Sequence, residues 1–237
     1  MEINKYSKKY MHYYSGDVPF LVEEVFKNNK IENFADLGCG DGPFLYALLK
    51  AGYLDNLKKI IAVDISQERI ENVKKLSDKI LCIVSDVCNI EALKNVQLDF
   101  IVSSQVIEHL PNDKKFIQEV YRLLNKEGLF FVSTVFKKWY GWYFYRCNGK
   151  WALDPTHLRE YTDETQLLDI LKENKFEVLK NKKTLQWFPV TDFIFKRIGL
   201  NRNIYENKII KFLRNIKIPI LGYYNWELLL KKPPNEI

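Results

Sequence analysis

The chain has 237 residues, 47% of them hydrophobic and 28% charged, which excludes disordered, collagen-like and coiled-coil proteins and predicts a soluble globular one. No uncharged apolar run approaches the roughly 18 residues of a membrane span, and the N-terminus lacks a secretory signal, so we expect a cytoplasmic protein. The net charge of the whole chain is +6, and the positive charge is concentrated in residues 172–237, which contain 14 Lys and Arg but 6 Asp and Glu. This concentration predicts an acidic partner or surface near the C-terminal region.

The first 180 residues alternate β-rich runs with helical patterns, the order typical of a parallel α/β sheet. Strands are predicted at Asn33–Leu37, Lys59–Asp64, Ile80–Ser85, Leu98–Ser103, Gly128–Val135, Phe176–Lys180 and Tyr223–Leu230. Helices are predicted at Phe44–Lys50, Gln67–Leu76, Asp113–Leu124 and Asp163–Glu173. Pro43 suits a first helical position, Ser66 an N-cap and Asn174 a left-handed helix stop. Residues 136–161 and 188–220 interrupt the alternation and are predicted to be insertions that cover a site.

A glycine-rich turn follows the first predicted strand. Gly38, Gly40 and Gly42 alternate between that strand and a helix that begins at Pro43, an arrangement that brings bare backbone against a ligand. The spacing is GxGxG, and Pro43 stands where the dinucleotide fingerprint GxGxxG has its third glycine. No Lys-Ser or Lys-Thr pair follows, which disfavours a Walker-type phosphate loop. Asp36, two residues before the first glycine, suits a ligand that carries positive charge.

Acidic residues end three consecutive predicted strands. Asp36 lies near the end of the first strand, Asp64 ends the second and Asp86 follows the third. In a doubly wound sheet these ends meet at the carboxyl edge, where ligands bind. Taken by itself, Asp86 would be explained by a role in capping a turn. The three acidic residues together, however, predict a ligand site.

At this point the sequence resembles the class I S-adenosylmethionine-dependent methyltransferases, including their small-molecule and quinone-pathway O-methyltransferase branch. The resemblance covers about residues 30–180 and consists of five segments in order: DLGCGDG, VDIS, SDV, LDFIVSSQVIEHLPND and EVYRLLNKEGLFFVST. It implies a Rossmann-like, doubly wound sheet of seven strands, mostly parallel with an antiparallel last strand. We expect a lid at residues 1–30, a cofactor-binding core at 31–187 with the aromatic insertion 136–161, and a basic and aromatic cap with the final strand at 188–237.

The resemblance implies S-adenosylmethionine as cofactor and assigns ten residues to it: Asp36, Gly38, Cys39, Gly40, Gly42, Asp64, Ile65, Asp86, Val87 and Gln105. By that assignment, Asp36 helps to hold the ammonium end and Asp64 takes the ribose hydroxyls. Ile65 packs on the adenine, Asp86 faces its amino group, and Gln105 lies near the transferred methyl group. No cluster with the spacing of a magnesium site is evident in the sequence, so no metal is predicted.

Two histidines are candidates for the chemistry. A His or carboxylate within hydrogen-bond reach of a hydroxyl helps methyl transfer by removing its proton. His157 follows the aromatic insertion, in a segment similar to one near the active-site mouth of small-molecule and quinone-pathway O-methyltransferases, and is the first candidate for base or contact with the methyl acceptor. A structural role in its loop is the alternative. For His109 a structural role is favoured, although a place near the methyl group is open.

The sequence therefore predicts methyl transfer to a small molecule, on a hydroxyl of a sugar, quinone-type or lipid-linked compound. The Asn/Asp-Pro-Pro-Tyr motif of amide and adenine N-methyltransferases is absent after the fourth strand, where Ser103 to Val106 stand. The basic tail alternates apolar and basic residues, which favours either a solvated surface or peripheral membrane contact with a lipid-linked substrate. Nucleic acid is a less favoured partner. Two alternatives stay open: an RNA methyltransferase that uses the tail, and a non-catalytic cofactor-binding subunit.

Overall fold

A computed structural model describes residues 14–147, 149–189, 191 and 202–234 of the chain. Seven strands form one sheet, in the spatial order β3-β2-β1-β4-β5-β9-β8. They are β1 (Asn33–Leu37), β2 (Lys59–Asp64), β3 (Ile80–Val84), β4 (Leu98–Ser104), β5 (Leu124–Lys137), β8 (Glu177–Pro189) and β9 (Lys217–Lys231). The short strands β6 (Tyr145–Cys147) and β7 (Lys150–Ala152) form a separate antiparallel hairpin.

Six α-helices are described. They are α1 (Phe20–Asn28), α2 (Pro43–Lys50), α3 (Gln67–Lys74), α4 (Asp113–Leu123), α5 (Thr165–Glu173) and α6 (Lys208–Leu213). The predicted N-terminal signals of α2 and α3 are confirmed: Pro43 takes the first helical position, and Ser66 Oγ accepts a hydrogen bond from the Arg69 N–H at 3.4 Å. Helix ends are thus specified locally, by the residues that replace or satisfy the first N–H groups.

The predicted fold class is confirmed. Strands β1 to β5 pair in parallel, and β9 runs antiparallel to both β5 and β8. The chain leaves β1 toward β2 and β3, returns to β4, and continues to the other edge, so the order reverses between β1 and β4. Such a switch point opens a crevice at the carboxyl ends of the strands, where ligands bind in open α/β sheets.

The core consists of two apolar layers, one on each face of the sheet. Alternate residues of a strand point to opposite faces: in β1, Ala35 and Leu37 join the layer with α4 and α5, whereas Phe34 joins the layer with α1, α2 and α3. Because both faces are covered, most residues of the central strands β1, β2 and β4 are buried and apolar on both sides of the sheet. This rigid base holds the loops at the carboxyl edge.

Several predicted element boundaries were wrong. The left-handed residue after α5 is Lys175 (φ 62°), whereas Asn174 has φ −89°. Helix α5 begins at Thr165, because Asp163 accepts the Thr165 N–H and Gln166 accepts the Thr162 N–H in a turn that precedes the helix. Strand β5 begins four residues before and ends two residues after its predicted bounds, so the predicted insertion 136–161 begins inside it. Strand β8 extends to Pro189 instead of Lys180, and β9 begins at Lys217 instead of Tyr223.

The predicted lid and cap are only partly within the described residues. Residues 1–13, 190, 192–201 and 235–237 lie outside them. Of the predicted lid, helix α1 buries Leu21, Val22 and Val25 in the core layer above β1 and β2. Within the described part of the chain, no helix has the length and apolar character needed to cross a bilayer.

Candidate active site

The glycine turn is held tightly between β1, β2 and α2. Gly38, Gly40 and Gly42 all have left-handed φ angles, 79°, 55° and 81°, a conformation that costs other residues energy. The N–H groups of Gly38 and Cys39 donate to the Val63 carbonyl at 2.8 and 3.0 Å. The turn therefore lies against the end of β2, as expected for a backbone surface that contacts a ligand.

Substitution of Gly38 by Ala should destabilise the protein. A Cβ atom at Gly38 would lie 2.4 Å from Val106 Cγ2, and the φ angle of 79° is strained for alanine. We expect a loss of about 2–4 kcal/mol in the free energy of unfolding, measured by urea denaturation. Gly16→Ala is the control, because Gly16 has φ 73° and nothing within 4 Å of a Cβ, so only the φ cost of about 1–2 kcal/mol applies. Equal losses in the two variants would contradict the packing argument.

Asp64 joins the glycine turn to the start of α3. Its Oδ2 accepts the Gly40 N–H at 2.8 Å and its Oδ1 accepts the Ser66 N–H at 2.9 Å. The side chain is buried, with 6% of its surface exposed. Two hydrogen bonds to a carboxylate are strong ones, so Asp64 fixes the turn while its remaining lone pairs can accept hydroxyl protons.

Asp36 is a buried carboxyl group that forms no ion pair with any described residue. It is 2% exposed, and its Oδ2 has no hydrogen-bond partner among the described residues. Burial, with the negative charge of Asp64, raises the pKa of Asp36 to about 8. A buried carboxyl group of this kind costs free energy unless a partner binds it, and an ammonium group is a partner that would favour its ionised form.

The other residues at this edge differ in accessibility. Ile65 is 51% exposed beside Asp64, as an apolar contact for a ring requires. Asp86 is exposed, and its Oδ1 accepts the Cys88 N–H at 2.8 Å. Val87 is buried in the core layer. Cys39 is buried as well, and burial raises the pKa of its thiol, so the Cys39 thiol is not a nucleophile.

Gln105 ends β4 in a strained conformation. Its φ is 56°, and its Nε2 donates to Asn225 Oδ1 on β9 at 3.1 Å. The next residue, Val106, packs directly against Gly38. The strained residue is therefore placed beside the glycine turn, and strain of this kind concentrates at functional sites.

His109 and His157, which are 48 positions apart, form one pair. Their rings are edge-to-face with centroids 4.8 Å apart. The N–H groups of Leu158 and Arg159 donate to the Glu108 carbonyl at 2.9 and 3.2 Å, and these bonds attach the His157 segment to the turn after β4. The structure thus brings both predicted histidines together at the carboxyl edge.

The two imidazoles have opposite electrostatic surroundings. Burial alone would lower the pKa of His157, but the hydrogen bond from its Nδ1 to Glu160 Oε1 at 2.9 Å and the charges of Glu108 and Glu160 raise it. Burial and the His157 charge lower the pKa of His109 to about 4. At neutral pH His109 is therefore uncharged, and with Nδ1 engaged with Thr156 at 3.1 Å its Nε2 can carry the lone pair of a base.

Glu108 belongs to the same cluster and was not among the predicted residues. It is fully buried; Thr134 Oγ1 donates to its Oε2 at 2.9 Å, while its Oε1 has no hydrogen-bond partner among the described residues. Potential ligand atoms of Glu108, His109 and His157 lie within 4.8 Å of one another. One carboxylate and two imidazoles are a donor set that can bind a divalent ion. The adjacent residues Glu108 and His109 could have indicated this cluster from the sequence. The third member, His157, is brought to them only by the fold.

A cleft opens next to the histidine pair. Its volume is about 520 Å³, and its lining includes Lys138, Trp139, Trp151, His157 and Arg159. The cleft combines aromatic faces with cationic groups, so an aromatic or anionic small molecule would fit its chemistry. Part of the aromatic insertion therefore lines a cleft that His157 borders.

The start of the described chain also reaches the glycine turn. Tyr14 is 6% exposed, its hydroxyl donates to the Asp41 carbonyl at 2.8 Å, and its ring stacks on Tyr46 with centroids 4.5 Å apart. A segment from the predicted lid thus contacts the site, although His12, another residue of that segment, lies outside the described residues.

Comparison with known proteins agrees with this geometry. Residues 35–132 match the family described as a methyltransferase domain. The chain is 26% identical to the ubiquinone biosynthesis O-methyltransferase of Pelagibacter ubique, over 84% of this chain and 85% of that protein. It is 25% identical to the demethylmenaquinone methyltransferase of Leptospira interrogans, over 76% and 84%. Its fold is similar to an S-adenosylmethionine-dependent methyltransferase structure from Clostridium acetobutylicum, with a TM-score of 0.59, 16% identity and coverage of 98% and 93%.

Proposed function

We propose that this chain, which belongs to the class I S-adenosylmethionine-dependent methyltransferases, methylates a hydroxyl group on a small quinone-type aromatic molecule. The observation that carries the proposal is the edge-to-face pair of His109 and His157 at the carboxyl edge, of which His157 lines the aromatic cleft. The ubiquinone biosynthesis O-methyltransferase similarity supports the same acceptor class. A hydroxyl of a sugar or of a lipid-linked compound would react by the same chemistry.

The residues at the glycine turn fit S-adenosylmethionine. This cofactor supplies an electrophilic methyl group on a sulfonium and carries an ammonium group at its methionine end. Asp36 has a buried oxygen without a hydrogen-bond partner in the described part of the chain, which an ammonium group would satisfy. Asp64 is placed to accept ribose hydroxyl protons, and Ile65 offers an exposed apolar face for the adenine.

Cofactor affinity should depend on pH through Asp36. Its pKa is raised to about 8, so below pH 8 the carboxyl group must release a proton before it can pair with an ammonium group. Affinity should therefore rise by up to about tenfold per pH unit between pH 6 and 8, measured by tryptophan fluorescence titration. Asp36→Asn should lower the affinity about ten- to hundredfold at pH 8 and abolish this dependence. A wild-type affinity that is flat over that range would contradict the role of Asp36.

The protein's contribution to the transfer is positioning and proton removal. Methyl transfer is a direct displacement, so alignment of the hydroxyl with the methyl group accounts for a large part of the rate. The cleft walls, which include Trp139 and Trp151, would hold an aromatic ring in place. Nε2 of His109 would take the hydroxyl proton, and burial together with the neighbouring His157 lowers the pKa of His109 and so favours its uncharged form.

The experiment is a transfer assay with isotopically labelled S-adenosylmethionine. Prenylated catechols and phenols, aromatic amines, a lipid-linked sugar and transfer RNA are offered separately, and products are analysed by mass spectrometry. We expect O-methylation of the catechols or phenols. Label on amines or RNA alone, or binding of cofactor without label on any substrate, would contradict the proposal and would support, respectively, an N- or RNA-methyltransferase or a non-catalytic subunit.

The same assay addresses metal ions. Transfer without a metal stays a prediction, and the buried Glu108, His109 and His157 group is where an ion would bind if one takes part. We expect rates to be unchanged by EDTA. A rate lost with EDTA and restored by a divalent ion would assign this group to metal binding.

A further inference from the structure

A surface beyond the carboxyl edge of the sheet carries most of the exposed apolar side chains. In the described residues, 12 of the 19 exposed large hydrophobic side chains fall in two stretches, 139–145 and 187–221. They are Trp139, Tyr140, Trp142, Phe144, Tyr145, Trp187, Ile209, Phe212, Leu213, Ile216, Ile218 and Leu221. Their exposures reach 92% at Trp139 and 71% at Phe212. Such a concentration differs from the scattered single apolar residues of an ordinary surface and indicates an interaction site.

The two stretches are parts of one packed unit. The Lys138 N–H donates to the Gly222 carbonyl at 2.8 Å, and the ring of Tyr143 contacts that of Tyr223 with centroids 6.3 Å apart. Helix α6 ends four residues before β9 begins. The small apolar cluster beneath includes Tyr143, Phe188 and Ile220. The two stretches therefore meet at one buried contact, and Arg214, the residue after α6, lines a cavity with Tyr143 and Phe188. We call the twelve exposed apolar residues, together with the Lys and Arg residues of 137–151 and 208–217, the apical surface.

The apical surface lies on the same side of the molecule as the candidate active site. Lys137, the last residue of β5, pairs with Tyr223 of β9, so residues 217–222 of β9 extend past the carboxyl end of β5. The cleft beside His157 is lined by Trp139 and Lys138 of this surface. Glu206, just before α6, binds Lys50 of α2 at 2.7 Å, which connects the helix to the glycine-turn side. A partner on the apical surface would thus face the cleft.

The charges of the apical surface are mainly positive; in the described part of its two stretches the exposed acidic residue is Glu206, which pairs with Lys50. Residues 137–151 and 208–217 each contain four Lys or Arg and no Asp or Glu. In α6, Ile209, Phe212 and Leu213 form one exposed apolar stripe, flanked by Lys208 and Lys211. Exposed aromatic and aliphatic side chains among cations are the pattern of segments that lie in the interface of an anionic bilayer, with apolar groups in the acyl boundary and cations at the head groups.

We propose that the apical surface docks this methyltransferase onto an anionic lipid bilayer, with the cleft facing the membrane. A phosphate backbone would account for the cations but not for Trp139, Phe144, Phe212 and Ile218, which expose 92%, 73%, 71% and 57% of their surface. Docking deepens the proposed function, since a methyl acceptor dissolved in the bilayer would reach the cleft without crossing water. Vesicle binding does not require catalysis, so failure of docking and failure of methyl transfer are distinguishable.

The test is cosedimentation of the full-length protein with vesicles. Wild-type protein should sediment with vesicles of phosphatidylcholine and phosphatidylglycerol and stay in solution with phosphatidylcholine alone. The double variants Trp139→Ser/Phe212→Ser and Lys138→Glu/Lys211→Glu should each bind at least about tenfold more weakly. Their matched controls should bind like wild type: Leu81→Ser/Val84→Ser on the edge strand β3, with side chains 52% and 44% exposed, and Lys79→Glu/Lys126→Glu at the amino edge of the sheet.

Several outcomes would overturn the proposal. These are no sedimentation of wild-type protein, equal loss of binding in the variants and their controls, and retention by transfer RNA that depends on the lysines but not on Trp139 and Phe212. Light scattering tests a further outcome. If the wild-type protein is a dimer, the Trp139→Ser/Phe212→Ser variant is a monomer and neither protein binds vesicles, the apical surface is an interface between two copies of the chain. The melting temperature of each variant verifies that it is folded.

Discussion

Replacing Asp64 by Ala should weaken S-adenosylmethionine binding at least about a hundredfold, about 2.7 kcal/mol of binding free energy. The carboxylate accepts the N–H groups of Gly40 and Ser66, so its loss leaves both N–H groups without this acceptor, loosens the turn at Gly40 and removes the acceptor proposed for the ribose. Both effects reduce affinity, and neither is compensated elsewhere because the turn has no other side-chain hydrogen bond from β2. Equilibrium dialysis with labelled cofactor measures the change.

Asp86→Ala is the control for this variant. Asp86 is also an acid at a strand end, but it is exposed and accepts one N–H from its own turn. We expect a loss of affinity of tenfold or less, about 1.4 kcal/mol. Asp64→Ala protein that stays folded by circular dichroism and binds as wild type would remove Asp64 from the cofactor site.

His109→Ala should lower kcat about a hundredfold or more while cofactor affinity stays unchanged, because general-base catalysis is worth that much. The low pKa of His109, about 4, means that it is unprotonated across the physiological range. At saturating cofactor, kcat should therefore be level above about pH 5 and fall as pH drops toward 4. Steady-state kinetics with the methyl acceptor found in the transfer assay measure both quantities. An unchanged kcat would assign His109 a structural role.

The variant His157→Asn distinguishes the proposed roles of the two histidines. The charge of His157 lowers the pKa of His109, so removing that charge raises the pKa of His109 and moves the acid limb of the rate profile to higher pH. We expect a moderate loss of kcat at pH 7, about tenfold. A loss as large as that of His109→Ala, with the acid limb unmoved, would instead make His157 the base, the role that the sequence predicted for it.

The sheet was predictable because its signals are local. The strands β1 and β2 are short, mostly apolar runs that end next to a glycine and at an acid, and Pro43 and Ser66 define the starts of two helices. The positions of Asp36 and Asp64 at strand ends follow directly from this order. Strand boundaries that depend on pairing with a distant strand were harder to predict. Strand β5 extends to Lys137 because β9 pairs with it up to that residue, and no local signal in the sequence of β5 indicates this.

The histidine pair was only partly predictable. Both residues were candidates, but their contact depends on hydrogen bonds from the 154–160 segment to the Glu108 carbonyl, which link distant parts of the chain. The electrostatic difference between the two imidazoles could not be predicted from the sequence, since burial and the neighbouring charges of the folded chain determine their opposite pKa shifts. Glu108 was missed because its side-chain direction is set by a single 3₁₀ turn, Ile107–His109.

Titration calorimetry of the wild-type protein with S-adenosylmethionine, and in parallel with S-adenosylhomocysteine, tests the central claim most directly. At pH 7, run in two buffers with different ionisation enthalpies, it measures affinity and proton release together. We predict one site for each compound, with release of a proton as Asp36 ionises against the ammonium group. No binding of either compound by folded protein would contradict the assignment of the glycine turn, Asp36 and Asp64 as a cofactor site.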